Sequence, residues 1–413
     1  MLFLSSINVT SVKAINNDED LVINPYLVAE MEAFRVQNNA DSFSLSVVKG
    51  NESIWSVANG QIGSVNATPE TAYRIGSITK TITAITILRL AEQGFLDINA
   101  DINDYLDFEY INPDFPSTPT TLKMLLSHSA GIADRDLIFG IFRHTDESFL
   151  FYPDYISEFF TSGGIYYSTS NWNGRAPGES GDYCNIAFVL AGYIVEQVTN
   201  KSMQTVIDEL ISHPLNISSI VHNYTDLSNR TVAPPGSNSL SLTSPYNLSE
   251  VGTGALWAST SDLSILLSIL MNGGVFNGVR ILQEDSVNLL LSTVSGGYGL
   301  GWNTGLWQGK NGGIPGYTGH LYTREVAGVR WGYVILSNSE TGLDFFIQSK
   351  VRSSILEGNL IVPSDYVPPI ITTTTGSTTL NTSSEGTNHP LLSSFFSLIF
   401  LSYIMKKRYT VKR

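Results

Sequence analysis

The stretch that most constrains the fold is residues 78–91, ITKTITAITILRLA, which places apolar side chains almost all the way round a helix. Apolar residues such as Ile78, Ile82 and Ile85 recur at the spacing of helical turns, and Gly94 follows as a helix stop. A helix that is apolar on all sides is buried rather than laid on a surface. The sequence therefore predicts that this helix passes through the middle of a domain.

Segments with the pattern of strands occur at both ends of the main body, and segments with the pattern of helices lie between them. Residues 40–64 alternate in two short bursts around a KGNE turn, which predicts two antiparallel strands. The predicted helices lie within residues 120–131, 185–199, 259–274 and 342–358, the first closed by Gly131. Late strands are predicted at YGLGWNT, GHLYTRE and WGYVILSNS. This order predicts an α+β fold: a central antiparallel β-sheet formed from both ends of the domain, flanked by helices, with an inserted mainly helical region.

The composition indicates a globular chain that does not bind nucleic acid. Its 413 residues suffice for one large domain or two smaller ones, and 42% of them are hydrophobic, which suits a buried core rather than disorder. The formal net charge is −14 and the main body has no basic stretch, so nucleic acid is not an expected partner. Cys184 is the single cysteine, so no intrachain disulfide can form.

Both ends of the chain predict export and a membrane anchor. Residues 1–14 resemble a short signal peptide. Residues 363–389 form a Ser/Thr-rich linker, residues 390–405 a predicted transmembrane helix, and residues 406–413 a basic tail that would face the cytosol. A GPI-attachment signal is the alternative for this C-terminus. The prediction is a single-pass membrane protein whose main domain, 25–358, is extracellular or lumenal. Nine Asn-x-Ser/Thr sequons, four of them within residues 216–249, would suit a glycosylated surface.

Ser77 and Lys80 lie three residues apart at the start of the central helix, so their side chains share one face. A serine hydroxyl becomes a nucleophile only when a base removes its proton, and a lysine can serve only if burial or another cation lowers its pKa. A Ser-x-x-Lys pair is common by chance, and taken alone it favours a helix N-cap followed by a lysine. Partners elsewhere in the chain must decide between the two interpretations.

Two further elements follow in the order that a known superfamily would require. GDYCN supplies Tyr183 and Asn185 ahead of a helix, and GKNGGIPGYTGHL supplies Lys310 in a glycine-rich run ahead of a strand. Together with Ser-x-x-Lys, they resemble the signature of the serine β-lactamase and penicillin-binding-protein superfamily. The Tyr-x-Asn form resembles its class C branch, with relatives among D-Ala-D-Ala carboxypeptidases, family VIII esterases and eukaryotic β-lactamase-like proteins. The resemblance covers residues 25–358.

The resemblance implies a serine hydrolase that works through an acyl-enzyme on an amide or ester. Ser77 would be the acylated nucleophile, and Lys80 and Tyr183 would share the role of general base. The substrate would be a small or peptide-like molecule; whether it is a peptide, a β-lactam or an ester stays open, as does the oligomeric state. The alternative from another class is a catalytically silent surface module that keeps the fold for binding.

The resemblance also implies the substrate-binding residues. Asn185 would orient a substrate amide and Lys80, and Lys310, with Gly312 of the same motif, would hold a substrate carboxylate or tune Tyr183. An oxyanion hole would combine the backbone N–H of Ser77 with one on the following strand, near Thr318 and Gly319. The third motif reads Lys-Asn-Gly where the family has Lys-Thr-Gly, which weakens the case for carboxylate recognition.

The remaining reactive side chains fit structural roles better. Cys184 is expected to be a small buried residue, because no histidine is placed to activate it. His128, in SHSAG, is expected to be structural, and His320 is expected to lie at the rim of the site or to pack against the strand. The six histidines show no metal-ligand spacing, and no Walker or dinucleotide motif occurs, so neither a metal nor a cofactor is predicted.

Overall fold

A six-stranded antiparallel sheet lies at the centre of the computed structural model, and strands from both ends of the chain build it. The structure describes residues 21–134, 143–144, 152–179, 181–237, 244–248, 251–364 and 366–367. The strands in this part of the chain are β1 (Leu21–Ile23), β2 (Ser42–Lys49), β3 (Glu52–Ile62), β4 (Val65–Asn66), β5 (Tyr73–Arg74), β6 (Arg143–His144), β7 (Asn247–Leu248), β8 (Trp257–Ala258), β9 (Val275–Phe276), β10 (Val279–Arg280), β11 (Gln308–Ile314), β12 (Tyr317–Val326), β13 (Val329–Ser337) and β14 (Ile361–Pro363).

Helices cover both faces of this sheet. The described α-helices are α1 (Pro25–Gln37), α2 (Thr79–Glu92), α3 (Leu122–Leu126), α4 (Tyr152–Phe160), α5 (Asn185–Thr199), α6 (Met203–Ile207), α7 (His213–Leu215), α8 (Thr260–Met271), α9 (Glu284–Leu291) and α10 (Leu343–Glu357). Helices α1 and α10 pack together on one face of the sheet, and α8 packs on β13 and β2. In chain order, the helices α2 to α9 lie between β5 and β11. The predicted α+β architecture is confirmed.

The strand order β11-β12-β13-β2-β3-β4 places the N-terminal hairpin directly beside the C-terminal strands. Leu45 of β2 pairs with Ile335 of β13, and successive residues of β13 face opposite sides of the sheet. Tyr333 and Ile335 contribute to the core under α1 and α10, whereas Val334 and Leu336 contribute to the larger helical core. Both sides of β13 are therefore buried, which is why this strand is almost continuously apolar.

Helix α2 lies in the larger core, as its sequence predicts. Every residue from Thr79 to Leu88 is buried, and the helix ends at Glu92, two residues before Gly94, which adopts a left-handed φ of 78°. Ser77 itself lies before the helix, in a 3₁₀ turn over Gly76–Ile78. The residue at the helix N-cap position is Ile78, and no side chain caps this end. The interpretation of Ser77 as an N-cap is therefore wrong.

Three predicted boundaries differ from the structure. Helix α3 ends at Leu126, well before Gly131, because His128 already adopts a left-handed φ of 58°. The segment YGLGWNT is not a strand but a series of turns with isolated bridges, because Gly297 and Gly301 have positive φ angles of 86° and 63°. The glycine-rich segment around Lys310 precedes the strand β12, as predicted, but it is also a strand itself, the edge strand β11.

The predicted signal peptide, most of the linker, and the predicted transmembrane helix and basic tail lie outside the described residues. Within the described part of the chain, no helix combines the length and the apolar character needed to cross a membrane. Most sequon asparagines in this part are exposed, namely Asn51, Asn66, Asn200, Asn216, Asn223 and Asn229. Asn247 is half-buried, and its Oδ1 accepts the backbone N–H of Tyr224.

Candidate active site

The Ser77 side chain meets two partners in front of the N-terminus of α2. Its Oγ lies 2.7 Å from Tyr183 Oη and accepts a hydrogen bond from Lys80 Nζ at 3.2 Å. The turn that carries it is pressed against β11: a Cβ added at Gly76 would lie 2.9 Å from the backbone nitrogen of Gly313. Gly76 also has a φ of 50°, so only glycine brings the serine this close to the edge strand.

Lys80 is fully buried and donates three hydrogen bonds. Besides Ser77 Oγ, its Nζ bonds the side-chain oxygen of Asn185 at 2.8 Å and the carbonyl oxygen of Thr253 at 2.9 Å. Three acceptors are the full complement of an ammonium group, whereas a neutral amine has only two N–H bonds. The geometry thus fits Lys80 as a buried cation that is compensated by hydrogen bonds.

Tyr183 is 37% exposed, and its ring is the surface on which the two lysines converge. The Nζ atoms of Lys310 and Lys80 lie 4.6 and 5.1 Å from the centre of the ring. Such distances allow cation–π attraction. The ring of His128 lies 4.5 Å from the ring of Tyr183. The phenol oxygen of Tyr183 is directed at Ser77.

Lys310 points from β11 into the same space and is 1% exposed. Burial, and then the positive charge of Lys80, lower the pKa of Lys310 well below its usual value. The Nζ of Lys80, by contrast, is surrounded by three hydrogen-bond acceptors.

The segment between Asp182 and Ile186 is fixed by neighbours. His128 Nδ1 accepts the backbone N–H of Cys184, and burial followed by the two lysines lowers the pKa of His128, so that its ring stays neutral. Cys184 is buried and its thiol pKa is raised, chiefly by burial. His128 and Cys184 thus occupy the packing positions that the sequence suggests.

Thr318 and Gly319 lie on β12, between β11 and β13 in the sheet. Thr318 Oγ1 bonds the carbonyl of Ser339, and Gly319 packs against Leu336 and the side chain of Ile78. Gly312 lies on β11: its α-carbon abuts the carbonyl of Ile75, where any side chain would collide. It therefore holds β11 against the serine turn.

Gly313 supplies the backbone N–H that faces the serine. On the outer edge of β11, Gly309 exchanges both backbone hydrogen bonds with Asn303, at 2.7 and 3.0 Å. Because N–H directions repeat every second residue along a strand, Gly313 presents its N–H to that same edge, beside Gly76. A Cβ on Gly313 would meet nothing within 4 Å, so this position has room for a small side chain.

His320 lies on the other side of the sheet from Ser77. It is 3% exposed, its Nε2 lies 2.8 Å from Asp344 Oδ2, and Gln348 Nε2 lies 2.8 Å from its Nδ1. Of the two roles suggested by the sequence, packing is therefore the one observed. Within the residues described, no group of three or more His, Cys, Asp or Glu side chains is arranged to hold a metal ion.

Three residues at the site are absent from the motifs. Asp134 accepts hydrogen bonds from the start of α5, Thr253 lends its carbonyl to Lys80, and the ring of Tyr298 lies 5.9 Å from Lys310 Nζ. They lie in or near the stretches HSAGI, GTGALWAS and YGLGW, whose glycines are the only sequence signal at these points.

The sequence profile of the Beta-lactamase family matches residues 27–352, which include all of these side chains. The chain belongs to this family. The predicted superfamily is thereby confirmed.

Two curated proteins are similar to this chain at low sequence identity. Protein flp of Staphylococcus aureus (strain N315) is 24% identical over 252 residues, which cover 58% of this chain and 47% of that protein. Unguisins hydrolase ungD' of Aspergillus campestris (strain IBT 28561) is 24% identical over 308 residues, which cover 66% of this chain and 54% of that protein. The chain spans about half the length of these curated relatives.

Solved structures share the fold. The octameric penicillin-binding protein homologue from Pyrococcus abyssi has a TM-score of 0.63 at 22% identity, covering 80% of this chain and 77% of that chain. D-amino acid amidase from Ochrobactrum anthropi SV3, complexed with L-phenylalanine amide, has a TM-score of 0.61 at 18% identity, covering 81% and 98%. At this identity the likeness establishes the architecture and not the substrate.

Proposed function

We propose that the protein is a serine hydrolase that cleaves an amide or ester bond through an acyl-enzyme on Ser77. The observation that carries this proposal is the placement of Ser77 Oγ within hydrogen-bond distance of both Tyr183 Oη and Lys80 Nζ. Covalent catalysis requires a nucleophile that contacts a proton acceptor and a further group that holds both in place.

The contact between Ser77 and Tyr183 offers a path for proton transfer. Lys80 donates to Ser77 Oγ, and either hydroxyl can be the donor between Ser77 and Tyr183, so the serine proton can be directed at Tyr183 Oη. In the proposed reaction Tyr183 acts as the general base: Ser77 Oγ bonds to the substrate carbonyl carbon as its proton passes to the deprotonated oxygen of Tyr183. Tyr183 returns the proton to the leaving amine or alcohol as the bond to it breaks. Water then releases the acyl group by the same route.

The backbone N–H groups of Ser77 and Gly313 are the proposed oxyanion hole. Gly313 replaces Thr318 and Gly319 in this role, because it lies on the free edge of β11 beside the serine turn. A preorganised donor of this kind contributes roughly 2.7–4 kcal/mol to transition-state stabilisation.

The names of two similar proteins support hydrolysis over the silent binding module. One is an amidase and the other is called a hydrolase. The intact contacts among Ser77, Lys80, Tyr183 and Asn185 support the same choice, because a binding module would not need them. The proposed substrate is an amide or an ester.

Covalent labelling tests this proposal. A fluorophosphonate probe should add one adduct, which peptide mass spectrometry should locate on Ser77. The variant Ser77→Ala should keep the circular dichroism spectrum and the unfolding midpoint but lose the adduct. A folded wild-type protein that gains no adduct would refute the proposal and favour the binding module.

The anchored topology remains a proposal from the sequence of the C-terminus. A tag after residue 413 should resist protease added to intact cells that express the full chain, while the main domain is digested or shed. Release of the domain by a GPI-specific phospholipase would instead support the lipid anchor.

A further inference from the structure

Asp134 makes a dense set of contacts with the segment that carries the predicted catalytic tyrosine. Its Oδ1 accepts the backbone N–H groups of Asn185 at 2.6 Å and Ile186 at 3.0 Å, and its Oδ2 accepts Asn185 Nδ2 at 2.7 Å. The Cys184 thiol donates to Oδ1 at 3.4 Å. One carboxylate thus binds three consecutive residues directly after Tyr183.

The contact with Nδ2 sets which way round the Asn185 amide stands. A carboxylate only accepts hydrogen bonds, and a lysine amine at full protonation only donates them. Asn185 lies between the two, so only one orientation satisfies both: Nδ2 toward Asp134 and Oδ1 toward Lys80. Thr253 Oγ1 also donates to that Oδ1, at 3.1 Å, which supports the same orientation.

We propose that Asp134 is a positioning residue for acylation, acting through Asn185 to hold Lys80 at Ser77. The chain of contacts runs from Asp134 Oδ2 to Asn185 Nδ2, from Asn185 Oδ1 to Lys80 Nζ, and from Lys80 Nζ to Ser77 Oγ, with distances of 2.7, 2.8 and 3.2 Å. This inference rests on the proposed function of Ser77.

A role as a simple helix cap is the competing explanation. Asp134 bonds the first N–H groups of α5, and a carboxylate at a helix N-terminus is stabilising by itself. A cap would need only Oδ1 and would be indifferent to the amide of Asn185. The contact through Oδ2 is the one that separates the two roles.

Exchanging the two side chains distinguishes positioning from capping. In Asp134→Asn, the side-chain oxygen can still accept the two backbone N–H groups, but its NH₂ faces that of Asn185. Asn185 then has to turn its NH₂ toward Lys80. The fluorophosphonate labelling rate of Ser77 should fall about ten- to a hundredfold, the loss expected for a broken hydrogen bond to a charged group. Asn185→Asp should also be slow, because two carboxylates then face each other.

The double variant Asp134→Asn/Asn185→Asp reverses the donor and acceptor between the two positions. The amide introduced at position 134 can donate to the carboxylate introduced at position 185, whose other oxygen can accept from Lys80. Positioning predicts a labelling rate at least about tenfold above that of either single variant, because the coupling between contacting residues is restored. Capping predicts no recovery, because the carboxylate is still missing from position 134.

The outcomes decide between the proposals. A wild-type protein without label refutes the proposed function of Ser77, whatever the variants do. If the wild type is labelled, two results overturn the role of Asp134. One is a double variant that is labelled no faster than Asp134→Asn, and the other is Asp134→Asn labelled at the wild-type rate. If Asp134→Asn does not fold, the double variant decides by itself. A double variant that folds and is labelled supports positioning. A double variant that folds but is labelled slowly, or that does not fold, overturns it.

Discussion

Ser77 Oγ lies 2.7 Å from Tyr183 Oη although 106 positions separate the two residues in the chain. Ser77 is held by the turn before α2, and Tyr183 by the extended segment before α5. Two helix starts therefore meet at one point, and β11 closes the third side with Lys310. The contact between Ser77 and Tyr183 depends on groups of other residues, and single substitutions can remove these groups one at a time.

Lys80→Met is expected to lower the labelling rate of Ser77 by at least about a hundredfold, the lower end of what proton-handling groups contribute. Methionine has a similar length but leaves the acceptors at Ser77, Asn185 and Thr253 without their donor. Lys201→Met is the matched control, because Lys201 is 46% exposed and pairs with Glu209. Rates that are equal in the two variants would contradict a role for Lys80.

Gly313→Pro is expected to reduce kcat about a hundred- to a thousandfold, because proline removes the N–H that faces Ser77. Proline is tolerated on edge strands where the N–H points outward. Gly313→Ala keeps the N–H and places its methyl group in open space, so it should lose far less. Steady-state kinetics on any turned-over ester would show the difference, and similar losses in both variants would exclude this oxyanion donor.

Lys310→Met is expected to raise the free energy of unfolding near pH 7. Burial and the charge of Lys80 lower the pKa of Lys310 in the folded protein. The pKa of this group in the unfolded chain is about 10.4, so below that pH the unfolded chain binds more protons than the folded protein does. Wild-type stability should therefore rise with pH, by at most about 1.4 kcal/mol per pH unit for one proton, until the pH passes the unfolded pKa. Urea unfolding from pH 6 to 10 should give a shallower slope for the variant. Parallel slopes would show that Lys310 is not the shifted group.

The same variant tests whether the substrate carries a carboxylate. An anion bound beside Lys310 would favour its ammonium form, and the resulting charge-assisted hydrogen bond is worth roughly 1.5–3 kcal/mol. Lys310→Met should then lower kcat/KM for an anionic substrate about ten- to a hundredfold more than for a neutral ester with the same acyl group. Equal losses on both substrates would remove the carboxylate-binding role and favour a neutral ester.

Much of the fold follows from local patterns in the sequence. The apolar residues of α2 recur without a polar face, so this helix had to be central, and the early and late strands had to share a sheet. The segment YGLGWNT misleads because its apolar residues suggest a strand, whereas the positive φ angles of Gly297, directly before it, and of Gly301 within it turn the chain. A sequence shows that glycine is present but not which φ it adopts.

The sequence by itself determined the three motifs, their order and hence the family, because the chemistry of Ser77, Lys80, Tyr183 and Lys310 resides in the side chains. Only the tertiary structure decided how these residues are held. The carbonyl of Thr253 could belong to any residue, since every peptide carries one, and loop paths alone bring it to Lys80. Gly313 became the outward-facing donor because the pairing of β11 with β12 leaves alternate N–H groups on the free edge. Backbone groups carry no sequence signature, so their placement emerges only when the chain is folded.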